Sequence, residues 1–171
     1  GYRVDPSSYD FSEYRNPQLE WANDLLAGWL NWAWDKENID PRTGEYRILE
    51  SLEEAERKFG GYDVYMWWPF WPRAGLDDRY QFDHYRSMPG GVDGLRAIVR
   101  QCRERGVRTI LSHCIWSETD RDNTREGRLD SYRQLVEMAL AVDADGVLMD
   151  VMSTTPPEIR RGRRSTSDAA A

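Results

Sequence analysis

Aromatic and ionisable side chains follow three apolar runs of the sequence. The runs are 62–68, 107–113 and 147–149, and the side chains at or just after their ends are Trp67, Trp68, Phe70, Trp71, His113, Cys114, Trp116 and Asp150. Tryptophan rings can stack on sugars, and a carboxylate can act as nucleophile, acid or base on a glycosidic bond. The residue types therefore predict a carbohydrate-binding site, with Asp150 as the candidate catalytic group.

Each candidate residue also has an ordinary structural interpretation. The tryptophans, eight in 171 residues, are also suited to filling a core. His113 fits either a site or a hydrogen-bonded core position, whereas Asp150, inside an apolar run, must lie at a strand end or have polar partners. The long segment after the first run adds Asp83 as a further candidate for substrate binding, and the neighbouring His84 is predicted to lie at the surface.

No motif in the sequence predicts a cofactor. His84, His113 and Asp150 lack the spacing of a metal site. The glycines at 90 and 91 follow a long loop, whereas the glycines of a dinucleotide fingerprint directly follow a strand. We therefore expect neither a metal ion nor a nucleotide at this site.

Composition narrows the classes of partner. The formal net charge is -7 and the isoelectric point is about 4.9, which argues against a nucleic-acid partner because such a partner needs a basic face. No apolar run is long enough to span a bilayer, and no signal peptide is recognised at the start of the sequence as given. Cys102 and Cys114 form no CxxC pair and are predicted to be reduced structural thiols.

Hydrophobic periodicity predicts the elements that position these residues. Helices are predicted over 17–34, 51–59, 92–105 and 128–141, and strands over 46–49, 62–68, 107–114 and 146–150. Strands that alternate with helices indicate parallel pairing with right-handed crossovers. In such folds the site lies at the carboxyl ends of the strands, where the candidate residues fall.

The predicted organisation has three parts. Residues 1–61 form a helical lead-in, 62–152 form a βαβαβ unit, and 153–171 form a disordered tail that contains Pro156-Pro157 and a basic run. The fold class is α/β, and we interpret it as a partial (β/α)8 TIM barrel. A small open α/β domain of the flavodoxin type is the alternative.

Three blocks resemble the melibiase (α-galactosidase) type of TIM-barrel glycoside hydrolase. They are the helix start at 88–95, the strand entry at 105–107, and the strand 144–150 that ends in Asp150. The resemblance implies that Asp150 occupies the position of the nucleophile. It departs from the family at Leu148 and Met149, since that strand usually carries a lysine before the aspartate.

The resemblance also implies an incomplete barrel. The family takes its acid/base carboxylate from a later strand, and eight strands are needed to close the barrel. The expectation is therefore the N-terminal part of a glycoside hydrolase-like protein that acts on a carbohydrate. A non-catalytic carbohydrate-binding or interaction fragment of the same fold is the alternative.

Overall fold

A computed structural model describes residues 5, 7, 11–68, 79–114 and 125–150. Two 3-10 helices, Glu13–Arg15 and Pro17–Asp24, precede the regular elements. The strands are β1 (Gly28–Trp32), β2 (Val64–Trp68), β3 (Arg108–Cys114) and β4 (Gly146–Asp150). The helices are α1 (Ile48–Phe59), α2 (Gln81–Arg86), α3 (Gly91–Glu104) and α4 (Arg125–Val142).

The four strands form one parallel sheet in the order β1-β2-β3-β4. The α/β class and the parallel, adjacent pairing of the three strands predicted near 62–68, 107–114 and 146–150 are therefore confirmed. A flavodoxin-type sheet reverses its strand order near the middle, and the four described strands do not. The flavodoxin-type alternative is wrong for this part of the chain.

One face of the sheet, which we call the covered face, packs against the helices. Side chains alternate along a strand, so every second residue points to this face. Its strand residues include Tyr65, Trp67, Leu111, Val147 and Met149. They form one hydrophobic cluster with the helical side chains Ile48, Leu52, Leu95, Val99, Leu135 and Met138. Helices from three successive crossovers thus lie on the same side of the sheet.

The opposite face, which we call the second face, carries the alternating residues. Its side chains are Leu30, Trp32, Val64, Met66, Trp68, Ile110, Ser112, Cys114, Leu148 and Asp150. None of them belongs to the cluster that the described helices form with the sheet. Leu30 and Trp32, both on β1, are exposed. A sheet with helices on one side only is the arrangement found in barrels.

The predicted helix over 17–34 begins at Pro17 as a 3-10 helix, and the prediction is wrong beyond Asp24. The second 3-10 helix ends at Asp24, and β1 begins four residues later and pairs with β2. Leu25, Trp29 and Ala33 are spaced by four, which fits a helix, but four is also a multiple of the strand period of two. Pairing with β2, which lies more than 30 residues away, decides the outcome, and the sheet therefore crosses the predicted boundary at residue 61.

Contacts with the start of β2 fix the entry of β1. The Asp63 carboxylate accepts hydrogen bonds from the backbone N–H groups of Leu26 and Ala27, at 2.8 and 2.7 Å. The predicted strand over 46–49 is reduced to a single antiparallel bridge between Tyr46 and Ile39, because α1 already begins at Ile48.

The glycine-rich turn before α3 is required by its backbone geometry. Gly90 and Gly91 have φ values of 72° and 62°, in the left-handed region that favours glycine. A Cβ atom on Gly94 would lie 2.2 Å from the carbonyl oxygen of Pro89. The motif that carries part of the family resemblance therefore has a local structural cause.

Candidate functional site

Asp150 is the last residue of β4 and lies at the carboxyl end of the sheet. It pairs in register with Cys114, the last residue of β3. Its side chain belongs to the second face and is half-buried. A carboxylate at a strand end, on the face against which none of the described helices packs, is held by the sheet and keeps part of its surface exposed.

Two tryptophans occupy the corresponding ends of β1 and β2. Trp32 and Trp68 pair in register on the second face, with ring centroids 6.3 Å apart and planes at 89°. Trp68 is only 5% exposed, whereas Trp32 is 39% exposed. Trp32 therefore supplies the more accessible aromatic ring on the face that carries Asp150.

Sequence analysis missed Trp32 because its segment was assigned to a helix. The available signal is the two tryptophans of the run 28–32, GWLNW, because aromatic residues are enriched in strands. Trp68 was identified correctly as a strand-end residue, although its burial leaves little of its ring free for stacking.

Trp67 and His113 lie on the covered face and are fully buried. Trp67 packs edge-on against Tyr65 and Tyr46, at 4.9 and 6.2 Å between ring centroids. The predicted convergence of His113 with Asp150 is wrong, because His113 is in register with Met149 and neighbouring strand residues point to opposite faces. Trp67 and His113 are therefore core residues in this structure.

A buried polar chain accounts for His113. Its Nε2 lies 3.2 Å from the Ser131 hydroxyl oxygen on α4, and the Tyr80 hydroxyl donates to that same oxygen at 2.6 Å. The rings of Phe82 and Tyr132 are packed beside the imidazole. The core alternative for His113 is the one that fits these contacts.

His84 and Asp83, two neighbouring residues of α2, differ in burial. His84 is fully buried on α2, so its predicted surface position is wrong. Asp83 is partly exposed and forms an ion pair of 3.1 Å with Arg86, one turn along α2. Its role in substrate binding stays a prediction. Trp71 and Trp116, like Phe70 and the predicted tail 153–171, lie outside the described residues.

Two side chains of α2 hold the strand ends together, and sequence analysis did not single them out. The Gln81 side-chain amide accepts from the Cys114 N–H at 2.9 Å and donates to the Cys114 carbonyl at 3.1 Å. The Tyr85 hydroxyl contacts the carbonyl oxygens of Ser112 and Trp67, at 2.9 and 3.3 Å. Burial raises the pKa of Tyr85, so it remains a neutral donor.

Neither cysteine is suited to nucleophilic chemistry. Cys102 and Cys114 are both buried, and neither forms a disulfide. Burial raises the pKa of the Cys102 thiol to about 12, which suppresses the reactive thiolate. Within the described residues no group of three His, Cys, Asp or Glu side chains is placed to hold a metal ion.

A cleft of about 660 Å³ lies at the opposite, amino-terminal end of the strands. The lining of this cleft contains ion pairs. The Asp145 carboxylate accepts hydrogen bonds from Arg108 and from the Thr109 N–H, each at 2.9 Å, and it lies 3.4 Å from Arg103. Trp21 of the second 3-10 helix lies over the Arg108 guanidinium at 5.2 Å. In α/β folds the ligand site lies at the carboxyl ends of the strands, so that end is the better candidate for a site.

Comparison with known proteins supplies no relative. No family model, no curated protein and no solved structure matches the chain. No helix in the described ranges is long and apolar enough to cross a membrane. A function must therefore be inferred from the strand-end arrangement of Asp150, Trp32 and Trp68.

Proposed function

We propose that the chain is half of a (β/α)8 barrel of glycoside hydrolase type that acts on a carbohydrate. The sequential parallel order, with helices on the covered face only, supports a barrel half over other α/β arrangements. The observation that carries the functional proposal is the position of Asp150. It ends a strand on the second face, together with the exposed ring of Trp32.

In this proposal the two residue types have separate roles. The Trp32 ring stacks on a sugar, with Trp68 packed edge-on behind it to fix its orientation. The Asp150 carboxylate attacks or assists at the glycosidic carbon. Glycoside hydrolysis needs a second carboxyl group, about 5–5.5 Å away for retention or about 6.5–9.5 Å away for inversion.

The described strand ends supply only half of that pair. Among the described residues that end the four strands on the second face, Asp150 is the one carboxylate. The missing acid/base group would come from later strands of a complete barrel. We therefore expect the 171-residue chain alone to bind sugar without hydrolysing it. The same observation keeps a non-catalytic carbohydrate-binding role as the second candidate.

Titration of intrinsic tryptophan fluorescence with mono- and oligosaccharides tests the binding proposal. At least one sugar should change the emission of the wild-type chain, and Trp32→Ala should weaken that response about tenfold or more, since stacking is lost. Trp21→Ala is the matched control, because Trp21 lies at the amino-terminal end of the sheet. No response to any sugar, in a folded sample, would contradict the proposal.

Hydrolysis assays test the catalytic half of the proposal. The isolated chain should release no product from aryl glycosides, and robust turnover would overturn the half-barrel interpretation. In a protein that contains all eight strands, Asp150→Asn should lower turnover by several orders of magnitude and leave the fold intact. Full activity of that variant would remove Asp150 from the mechanism and favour the non-catalytic role.

A further inference from the structure

At the end of β3, the side that faces β2 is bonded to the Gln81 side chain and not to one of the described strands. The register of β2 with β3 runs from Val64↔Arg108 to Trp67↔Leu111, so Cys114 lies three residues beyond the last paired position. Gln81 meets it there with both halves of its amide. A primary amide presents a donor and an acceptor side by side, as a peptide group does. Gln81 therefore substitutes for a strand partner.

The other side of the same residue faces β4. Cys114 is in register with Asp150, and this is the last pair of the β3–β4 ladder among the described residues. Gln81, Cys114 and Asp150 thus form a row across the rim of the sheet. Gln81 is 1% exposed and Cys114 is also buried, so their hydrogen bonds are shielded from competing water.

We propose that Gln81 is a positioning residue for Asp150 and acts through the backbone of Cys114. This inference rests on the proposed function, because it concerns the placement of the carboxylate that is proposed to be catalytic. Without the amide, the buried Cys114 N–H and carbonyl lose the two hydrogen bonds that Gln81 makes to them, which is unfavourable in the interior. The strand end must then shift or admit water, and the ladder pair with Asp150 shifts with it.

The proposal assigns a specific task to α2. Catalytic groups must be held within a fraction of an ångström by surrounding contacts. Tyr85, one turn after Gln81, contacts the carbonyl oxygens of Ser112 and Trp67 and so fixes the adjacent part of the rim. Helix α2 therefore fixes the ends of β2 and β3 by hydrogen bonds, and it also connects the long loop to α3.

Nuclear magnetic resonance of the full chain separates positioning from simple stabilisation. Gln81→Met removes both hydrogen bonds and keeps the side-chain length. The carboxyl-carbon and amide resonances of Asp150 should shift or broaden in this variant, and the Cys114 amide should exchange about tenfold faster. Tyr80→Phe is the matched control, because it deletes the buried hydrogen bond from the neighbouring residue to Ser131 and leaves the Gln81 amide in place.

The outcomes are distinguishable. Wild-type Asp150 resonances in Gln81→Met, with stability lowered as in Tyr80→Phe, would show that Gln81 is only structural and would overturn the proposal. If Gln81→Met does not fold, Gln81→Glu keeps the acceptor for the Cys114 N–H but lacks a donor when ionised, and a partial shift is expected. Failure of the wild-type chain to bind any sugar would refute the proposed function, while the Asp150 resonances would still decide the role of Gln81.

Discussion

The two faces of the sheet differ in what packs against them, although the residues that alternate between them are similar in type. Trp67 and Trp68 are neighbours of identical type, yet Trp67 lies in the helix-packed core and Trp68 lies on the second face beside Trp32. His113 and Cys114 are divided in the same way. On this sheet one residue of register separates a core position from a candidate site, because side chains alternate between faces.

The comparison implies that the faces tolerate substitution differently. The covered face is packed against the helices, so a methylene lost there leaves a cavity. On the second face the exposure varies along the sheet: Leu30 of β1 is 45% exposed, whereas Trp68 and Cys114 are buried. Trp32 is exposed and can offer its ring to a sugar, whereas Trp67 is fully buried, which favours Trp32 over Trp67 as a sugar-stacking residue.

A matched pair of leucine substitutions should show the largest effect. Leu111→Ala on the covered face should lower the free energy of unfolding by about 2–5 kcal/mol, since Leu111 is fully buried. Leu30→Ala on the second face should cost about 1 kcal/mol or less, within the range of strand propensity alone. Denaturant titration of both variants measures the difference.

The same pair sharpens the half-barrel proposal. In a protein that contains all eight strands, the second face becomes the barrel interior, and the cost of Leu30→Ala should rise toward that of Leu111→Ala. If the two variants of the 171-residue chain lost equal free energy of unfolding, the predicted difference between the two faces would be contradicted. Equal m-values for the two variants would exclude a change in the denatured state as the cause.

A second pair compares a buried and an exposed carboxylate at the amino-terminal end. Asp145→Asn should lower the free energy of unfolding by about 1.5–3 kcal/mol, because the Asp145 side chain is 6% exposed and accepts from Arg108 and the Thr109 N–H. Asp143→Asn should cost less than about 1 kcal/mol, because its ion pair with Arg103 is exposed. Thermal unfolding of both variants tests this, and the reverse order would contradict it.

Asparagine is a suitable replacement at Asp143. This residue has a φ of 60°, and asparagine tolerates the left-handed region about as well as aspartate does. The backbone is therefore unstrained in the control, and the measured difference reports on the two carboxylates.

The smallest predicted effect concerns the attachment of β1, the strand that carries Leu30 and Trp32. Hydrogen bonds from the backbone of Ala27 and Leu26 lower the pKa of Asp63. A carboxyl group with a lowered folded-state pKa stabilises the fold above its unfolded-state pKa, near 3.9, and loses this contribution as pH falls through the folded value. Stability should therefore decline below about pH 4.

Asp63→Asn is the control for that decline. Its amide oxygen can still accept a hydrogen bond, but the group does not titrate, so the variant should be less stable near neutral pH and lose less on acidification. Urea midpoints measured from pH 6 to pH 3 compare the two chains. An identical pH dependence of both would exclude Asp63 as a contributor.

Sequence patterns predicted the central part of the fold. The apolar runs that became β2, β3 and β4 are continuous and bounded by turn residues, and α3 has a clear apolar stripe ended by Gly106. Such local signals need no knowledge of distant partners. They also predicted a strand end or polar partners for Asp150, because a carboxylate inside an apolar run needs one or the other.

Tertiary pairing decided the remainder. The segment 28–32 carries a spacing compatible with both a helix and a strand, and only β2 beside it selects the strand. The sequence alone indicated that aromatic rings, an imidazole and a carboxylate follow the strands. The faces to which they point depend on register, and the bonds that Gln81 makes to Cys114 join residues 33 positions apart. Local propensity therefore determined the elements, whereas long-range contacts determined which side chains share the candidate site.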